Sequence, residues 1–253
     1  MDYEGSNVYA IVLAAGRGTR MAEEGESVYF PKVLRQVCGR PVIGYVLDAL
    51  ARAGMEDVTV VVGSGAKEVQ SALGERYRYV HQSEQVGSGH AVACAAPVLA
   101  RRSGVAVVMC GDSPLFTPAT IQNLIIEIQA ENATIALASA FLDDPAGYGR
   151  IIRDENGNIE RIVEEKGASE EDRTVNEVNG GCYAFDSEWL WANIGRMETN
   201  PAGELNLTDL VRVAISDGMT VAASPCDPTE ILNVNRLRDL EVVEKIICGT
   251  RRS

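Results

Sequence analysis

The sequence predicts an α/β fold, with a mostly parallel sheet covered by helices on both faces, and three observations predict it. Short apolar, β-branched runs alternate with helix-period segments as far as Phe141, the rhythm of parallel strands joined by crossover helices. Several of those runs are apolar throughout rather than at every second position, as strands buried on both faces should be. The 253 residues can bury a substantial core, and 46% are hydrophobic against 23% charged, an ordinary soluble composition.

The elements follow in order. Residues 8–14 form the first apolar run. Pro41 opens a helical pattern in which Val42, Ile43, Val46, Leu47 and Leu50 share one face, and Gly54 follows as a stop. Residues 58–62 read as a strand, 66–73 as a short helix and 77–81 as a strand. A glycine loop, Gln85-Val-Gly-Ser-Gly89, leads into an alanine-rich helix predicted over 90–99. A buried strand over 105–110 ends in Gly111-Asp112, Pro118 starts a helix through 129, and 134–141 returns as a strand.

The second half changes character. Residues 150–153 and 158–163 flank Asp154-Glu-Asn-Gly157, a hairpin signal. A strand is predicted over 179–185, and helices over 187–197 and 207–216, with Ser187 and Thr208 as candidate caps. A short strand at 221–224 and an amphipathic helix at 237–248 complete the chain.

Charge and composition exclude several functions. A formal net charge of −13 argues against general binding to DNA, RNA or anionic membranes, while leaving room for a local basic pocket. No apolar run reaches the roughly 18–20 residues of a membrane span. The start, MDYEGSN, is acidic and polar and is no signal peptide, so a cytoplasmic protein is expected. Six cysteines (Cys38, Cys94, Cys110, Cys182, Cys226 and Cys248) lie far apart without a C-x-x-C pair and read as reduced, buried thiols. With two histidines, a His-based zinc site is not expected.

The chemistry concentrates in residues 11–32, IVLAAGRGTRMAEEGESVYFPK. Met21 stands where a dinucleotide fingerprint needs its third glycine, and no Walker loop is present. What remains is either a tight structural turn or an anion-binding one. Gly16 and Gly18 leave backbone amides open to close approach. Thr19 adds a hydroxyl, Arg20 a permanently charged fork suited to phosphate oxygens, and Lys32 a point charge beyond a long acidic insert over 22–30.

LAAGRGTRM followed by FPKVL resembles the sugar-1-phosphate nucleotidylyltransferases, most closely the uridylyltransferase domains that use N-acetylglucosamine 1-phosphate. Matching stretches continue in the expected order: QSEQVGSGHA, GDSPL, DDPAGYGRI, IVEEK, EVNGG, GELNLTDL and NVN, over most of 8–240. The resemblance implies a Rossmann-like, three-layer α/β/α fold with a small β-rich sugar-binding lobe. A single nucleotidyltransferase domain over 1–253 is expected: a nucleotide-binding half of about 8–115, a sugar-binding half of about 116–235 and a C-terminal helix of about 236–249. No hexapeptide repeats occur, so no left-handed β-helix acetyltransferase domain is expected.

The implied reaction joins UTP and N-acetylglucosamine 1-phosphate into UDP-N-acetylglucosamine and pyrophosphate, with Mg²⁺ as cofactor and neither nucleic acid nor membrane as partner. Two alternatives stand beside it. One is transfer to a different sugar 1-phosphate, such as glucose 1-phosphate, or from another nucleotide. The other is a sugar-nucleotide-sensing module without turnover.

By resemblance, Arg20 and Lys32 are the catalytic cations. Leu13, Ala14, Ala15, Gly16, Gly18, Thr19, Gln82, Gly87 and Ser88 hold the nucleotide. Gly149, Glu164 and Asn179 hold the sugar, and Asp112 and Asn235 hold the metal. Read alone, Asp112 also suits a turn, Asn235 a helix cap, Gly149 a turn and Glu164 a solvated acidic run. Tyr148 and Lys166 are weaker sugar candidates, Glu204, Thr208 and Asp209 are read as ordering a loop and capping a helix, and Gln85 and His90 receive no role. The chain departs from the family at the long insert, at Cys110 where tyrosine is frequent, and at Gly180 where threonine is frequent.

Overall fold

Alternate residues of the first strand face opposite ways, and that alternation organises the molecule. The structure is a computed structural model and describes residues 7–16, 18, 30–130 and 132–250. The strands are β1 Val8–Ala14, β2 Gln36–Val37, β3 Arg40–Pro41, β4 Val58–Val62, β5 Arg78–His81, β6 Val105–Cys110, β7 Ile135–Phe141, β8 Arg150–Arg153, β9 Ile159–Val163, β10 Glu177–Asp186 and β11 Val221–Pro225. The helices are α1 Val42–Arg52, α2 Ala66–Leu73, α3 Ser88–Ala93, α4 Ala96–Leu99, α5 Pro118–Ala130, α6 Ser187–Asn193, α7 Asp209–Ser216 and α8 Leu237–Thr250.

Nine strands form one mixed sheet in the order β11-β7-β10-β6-β1-β4-β5, with β8 paired to β10 and β9 to β8. β1, β4, β5 and β6 are mutually parallel, β10 runs antiparallel to β6 and β7, and β11 is parallel to β7. The chain leaves β1 toward β4 and β5, then returns to β6 on the other side of β1. A reversal of that kind opens a crevice beyond the carboxyl ends of the strands.

Ala10, Val12 and Ala14 of β1 face a core shared with Ile43, Val46 and Leu50 of α1 and Ile121, Leu124 and Ile125 of α5. Tyr9 and Ile11 face the opposite core, with Val92 of α3, Leu99 of α4, Leu190 of α6 and Leu210 of α7. The result is three layers, helices on either side of the sheet. Leu50 is fully buried, and truncating such a leucine to alanine costs about 2–5 kcal/mol.

Several sequence expectations need amendment. The helix expected over 90–99 breaks between α3 and α4. Pro97 lies in the first turn of α4 and has no N–H to continue the ladder from α3. Ser187 is not the cap of α6. Asp186 is, accepting from the Trp189 N–H at 2.7 Å, while Ser187 is buried against Tyr9 and donates to the Arg102 carbonyl at 2.8 Å. Thr208 precedes α7 without a side-chain capping bond. The β8–β9 hairpin extends the main sheet through β10, with Asp154 accepting from the N–H groups of Asn156 and Asn158 in its turn.

The β2–β3 hairpin was not foreseen. Its strands have two residues each, too short for a period to register, and its turn uses positive φ at both Cys38 (47°) and Gly39 (73°). α8 docks on it, with Val37, Val42, Val234 and Val243 buried together. The docking joins Cys38 to Cys248 in a disulfide with Cα atoms 6.4 Å apart, so these two cysteines are not free thiols. No described helix is long and apolar enough to cross a membrane.

Candidate functional site

Because β1, β4, β5 and β6 are parallel, the residues just past their carboxyl ends gather on one edge of the sheet. A cleft of about 440 Å³ opens there. Leu13, Ala15, Gly16, Gly18, Lys32, Gln82, Gly87, Ser88, Asp112 and Asn235 all line it. Ala14 does not; its side chain points into the core. Thr19, Arg20 and residues 22–29 of the insert lie outside the described residues.

The glycine turn lies against the lysine. Gly18 has φ of 60°, and a β-carbon there would sit 3.1 Å from Lys32 Cβ. One at Gly16 would sit 3.5 Å from Lys32 Cε. Lys32 begins a short 3₁₀ turn, Lys32–Leu34, whose Val33 and Leu34 are buried. The cation is thereby held at the cleft by its buried neighbours.

Lys32 Nζ donates to Asp112 Oδ2 and, at 3.1 Å, to Asn235 Oδ1. Asp112 follows β6 and is only 6% exposed. The two partners come together through their backbones. Val234 N–H donates to the Asp112 carbonyl at 2.9 Å, and Ser113 donates its hydroxyl to Asn233 Oδ1 at 2.6 Å. Asp239 of α8 accepts from the N–H groups of Asn235 and Arg236 at 2.9 and 2.7 Å, holding the asparagine at the helix start. A carboxylate and an amide oxygen therefore converge on one cation. Both are hard oxygen donors facing the cleft, a donor set that fits a hard divalent cation. Beside them the Cys110 thiol is pushed up to about 12, by burial first and Asp112 second, with Lys32 opposing.

The opposite wall is the glycine loop before α3. Gln82 is buried, and its Nε2 donates to the Gly87 carbonyl at 3.2 Å and lies 3.1 Å from His90 Nδ1. The loop is laced to the 205–207 segment. Gly89 N–H donates to the Leu205 carbonyl at 2.8 Å, Leu205 N–H to the Val86 carbonyl at 2.8 Å, and Leu207 N–H to Ser88 Oγ at 3.0 Å. Gly87 has φ of 112°, and a β-carbon there would run into the Leu205 backbone.

Gly149, Glu164 and Asn179 come together, and none of the three lines that cleft. Asn179 N–H donates to the Gly149 carbonyl at 2.9 Å, and a β-carbon on Gly149 would lie 3.6 Å from Glu164 Oε2. Asn179 Nδ2 donates to Tyr183 Oη at 2.5 Å, and Thr208 Oγ1 donates to Glu164 Oε1 at 2.9 Å. Burial, then the Glu164 charge, raises the Tyr183 phenol well above its ordinary range. The antiparallel ladder with Cys182 opposite Met109 carries 179–181 to the same sheet edge as Cys110 and Asp112. At Gly180, the space of a side chain is taken by Ile231, whose Cγ2 would be 2.7 Å from a β-carbon.

Gln85, Ala91, Cys110 and Glu204 also line the cleft. Sequence reasoning assigned none of them to the ligand. Glu204 lies in GELNLTDL, so the stretch was visible. Its pairing with Val86 is long-range and was not.

The family model described as nucleotidyl transferase matches residues 9–227. The chain is 42% identical over 241 residues to a protein named Bifunctional protein GlmU from Geobacillus sp. (strain WCH70), covering 94% of this chain and 51% of that protein. Identity is 42% over 243 residues to the protein of the same name from Enterococcus faecalis, covering 95% and 52%. It is 43% over 216 residues to that from Bacillus licheniformis, covering 85% and 46%. The chain spans about half the length of the curated relatives it matches. A solved structure described as a putative glucose-1-phosphate thymidylyltransferase from Bacillus anthracis, in complex with a sucrose, has the same fold. Its TM-score is 0.79 at 19% identity, covering 95% of each chain.

Proposed function

The chain belongs to the nucleotidyl transferase family, and on that premise we propose that it joins UTP and N-acetylglucosamine 1-phosphate into UDP-N-acetylglucosamine and pyrophosphate. The observation that carries this reading is the convergence of Lys32, Asp112 and Asn235 at one end of a cleft whose other wall is Gln82 and the Gly87 loop. The identity to the GlmU proteins and the sugar-side motifs support the choice of substrates.

The chemistry asks little covalent work of the protein. An anionic oxygen of the sugar phosphate attacks the α-phosphorus of UTP. The new P–O bond forms as the bond to the bridging oxygen breaks, and pyrophosphate leaves with that oxygen. No proton has to be removed, so no general base is needed. Aligning two polyanions and neutralising the migrating charge is the task. Gly16 and Gly18 let backbone amides approach the phosphates. Lys32 and Arg20 supply positive charge. Asp112 and Asn235 would hold Mg²⁺, which when bound would supply polarisation of the phosphate oxygens.

The remaining residues select. Gln82, oriented by its bond to the Gly87 carbonyl, reads the imide edge of the base, since a side-chain amide both donates and accepts. Ser88 keeps the loop in register through Leu207. Glu164 and Asn179 bond sugar hydroxyl and acetamido groups, with Gly149 allowing close approach.

The test is pyrophosphate release with Mg²⁺ and each nucleoside triphosphate against a panel of sugar 1-phosphates. The proposal expects release with UTP and N-acetylglucosamine 1-phosphate above all other pairs. Release with glucose 1-phosphate alone would overturn the sugar assignment. Nucleotide binding without release for any pair would favour a sensing module.

A further inference from the structure

Lys32 satisfies the same two side chains that are proposed to hold the metal. Its ammonium engages Asp112 Oδ2 and Asn235 Oδ1 at once, and Asp112 is nearly buried. A buried carboxylate needs a cationic or hydrogen-bonding partner, and here the protein supplies one from its own chain. Two cations cannot share those oxygens without strong mutual repulsion at short range. Lysine suits a partner that must let go, because its charge sits on a flexible stem with rotatable donors. The stem of Lys32 lies along Gly16 and Gly18, where the missing side chains leave room beside its Cε and Cβ. Rotation about the outer bonds of that stem is open to release Nζ from the acid-amide pair.

We propose that Lys32 is a built-in competitor of the divalent metal: its ammonium holds Asp112 and Asn235 in the metal-free protein and transfers to the nucleotide phosphates when the metal binds. The proposal rests on the nucleotidyl-transfer reading for the second half of the exchange. Its consequence is linkage. The metal alone must break the Lys32 contacts, whereas the metal arriving with a triphosphate leaves the ammonium a new partner. Each ligand then raises the affinity for the other, and by the same factor. The protein stays poorly metallated until nucleotide is present.

Mn²⁺ alone, followed by its paramagnetic resonance signal, is the first probe. Lys32→Met removes the charge while keeping the length of the side chain. The expected result is tighter Mn²⁺ binding than wild type without nucleotide, by about tenfold, and no detectable binding by Asp112→Asn. Equal or weaker Mn²⁺ binding by a folded Lys32→Met protein would overturn the proposal.

A second measurement needs no Lys32 variant. The chain has four lysines, Lys32, Lys67, Lys166 and Lys245, and the last three are exposed. In wild-type protein with ¹³C-methylated lysines, the Lys32 signal is assigned by elimination with Lys67→Arg, Lys166→Arg and Lys245→Arg. It should shift on adding Mg²⁺ and shift further with Mg²⁺ and UTP together. A Lys32 signal unmoved by saturating Mg²⁺ would also overturn the exchange. If UTP neither binds nor moves the signal while Mg²⁺ does, the competition stands and the uridylyl reading fails.

Discussion

Thr208 donates its hydroxyl to Glu164 Oε1 at 2.9 Å, tying the start of α7 to the carboxylate proposed to bind the sugar. Three residues earlier in the same segment begins the lacing to the glycine loop, through Leu205 and Leu207. One stretch of chain therefore touches both the glycine loop before α3 and the Glu164 carboxylate. Thr208→Val keeps the shape and removes the donor. We expect the KM for the sugar phosphate to rise about fivefold, with the KM for UTP nearly unchanged. Equal losses for both substrates in steady-state kinetics would place the bond in general folding instead.

Gly87 combines a left-handed backbone with a wall directly against its α-carbon. Gly87→Ala should cost about 1–3 kcal/mol for the backbone conformation alone, and more for the clash with Leu205. Gly74 has a similar positive φ, 75°, but open space around it. Thermal melts of the two variants separate the terms. Gly87→Ala should melt lower than Gly74→Ala, and equal melting points would contradict the close approach.

Two thiols make stability sensitive to alkali. Burial raises Cys110 and Cys226 from an ordinary 9.0 to about 12 in the folded chain. The folded state therefore favours the protonated thiol. Their contribution is complete below pH 9 and is lost as pH rises toward 12, because the unfolded chain ionises its thiols first. Melting temperature should fall across that window. The fall should be shallower in a Cys226→Ala protein, and an identical slope would rule the thiol out as a cause.

The Cys38–Cys248 bond closes a loop of sequence separation 210 and pins α8 to the β2–β3 hairpin. Cys248→Ser should lower stability by about 2–4 kcal/mol. Thiol titration of the denatured protein should find four free cysteines without reductant, Cys94, Cys110, Cys182 and Cys226, and six with it. Six without reductant would mean that the pair is reduced in solution.

Local signals were enough for the strands flanking the cleft. The runs read at 8–14, 58–62 and 105–110 are β1, β4 and β6, because strands buried on both faces leave a continuous apolar imprint. The terminal turn of a helix is weaker: Ser187 and Asp186 are both good caps by type, and only the placement of Ser187 beside Tyr9 decides between them. The split between α3 and α4 was written in Pro97 but competes with a strongly helical alanine run.

The motifs alone singled out groups that line the cleft: a glycine turn, a lysine, an acid after a strand, an amide before the last helix. Such groups are recognisable one at a time because each sits in a short local pattern. That Lys32, Asp112 and Asn235 meet at one point depended on the fold. It follows from the Val234–Asp112 backbone bond, the Ser113–Asn233 bond and the docking of α8. Contacts across so much chain leave no period or spacing behind, since they are set by the packing of whole layers and not by any neighbour in sequence.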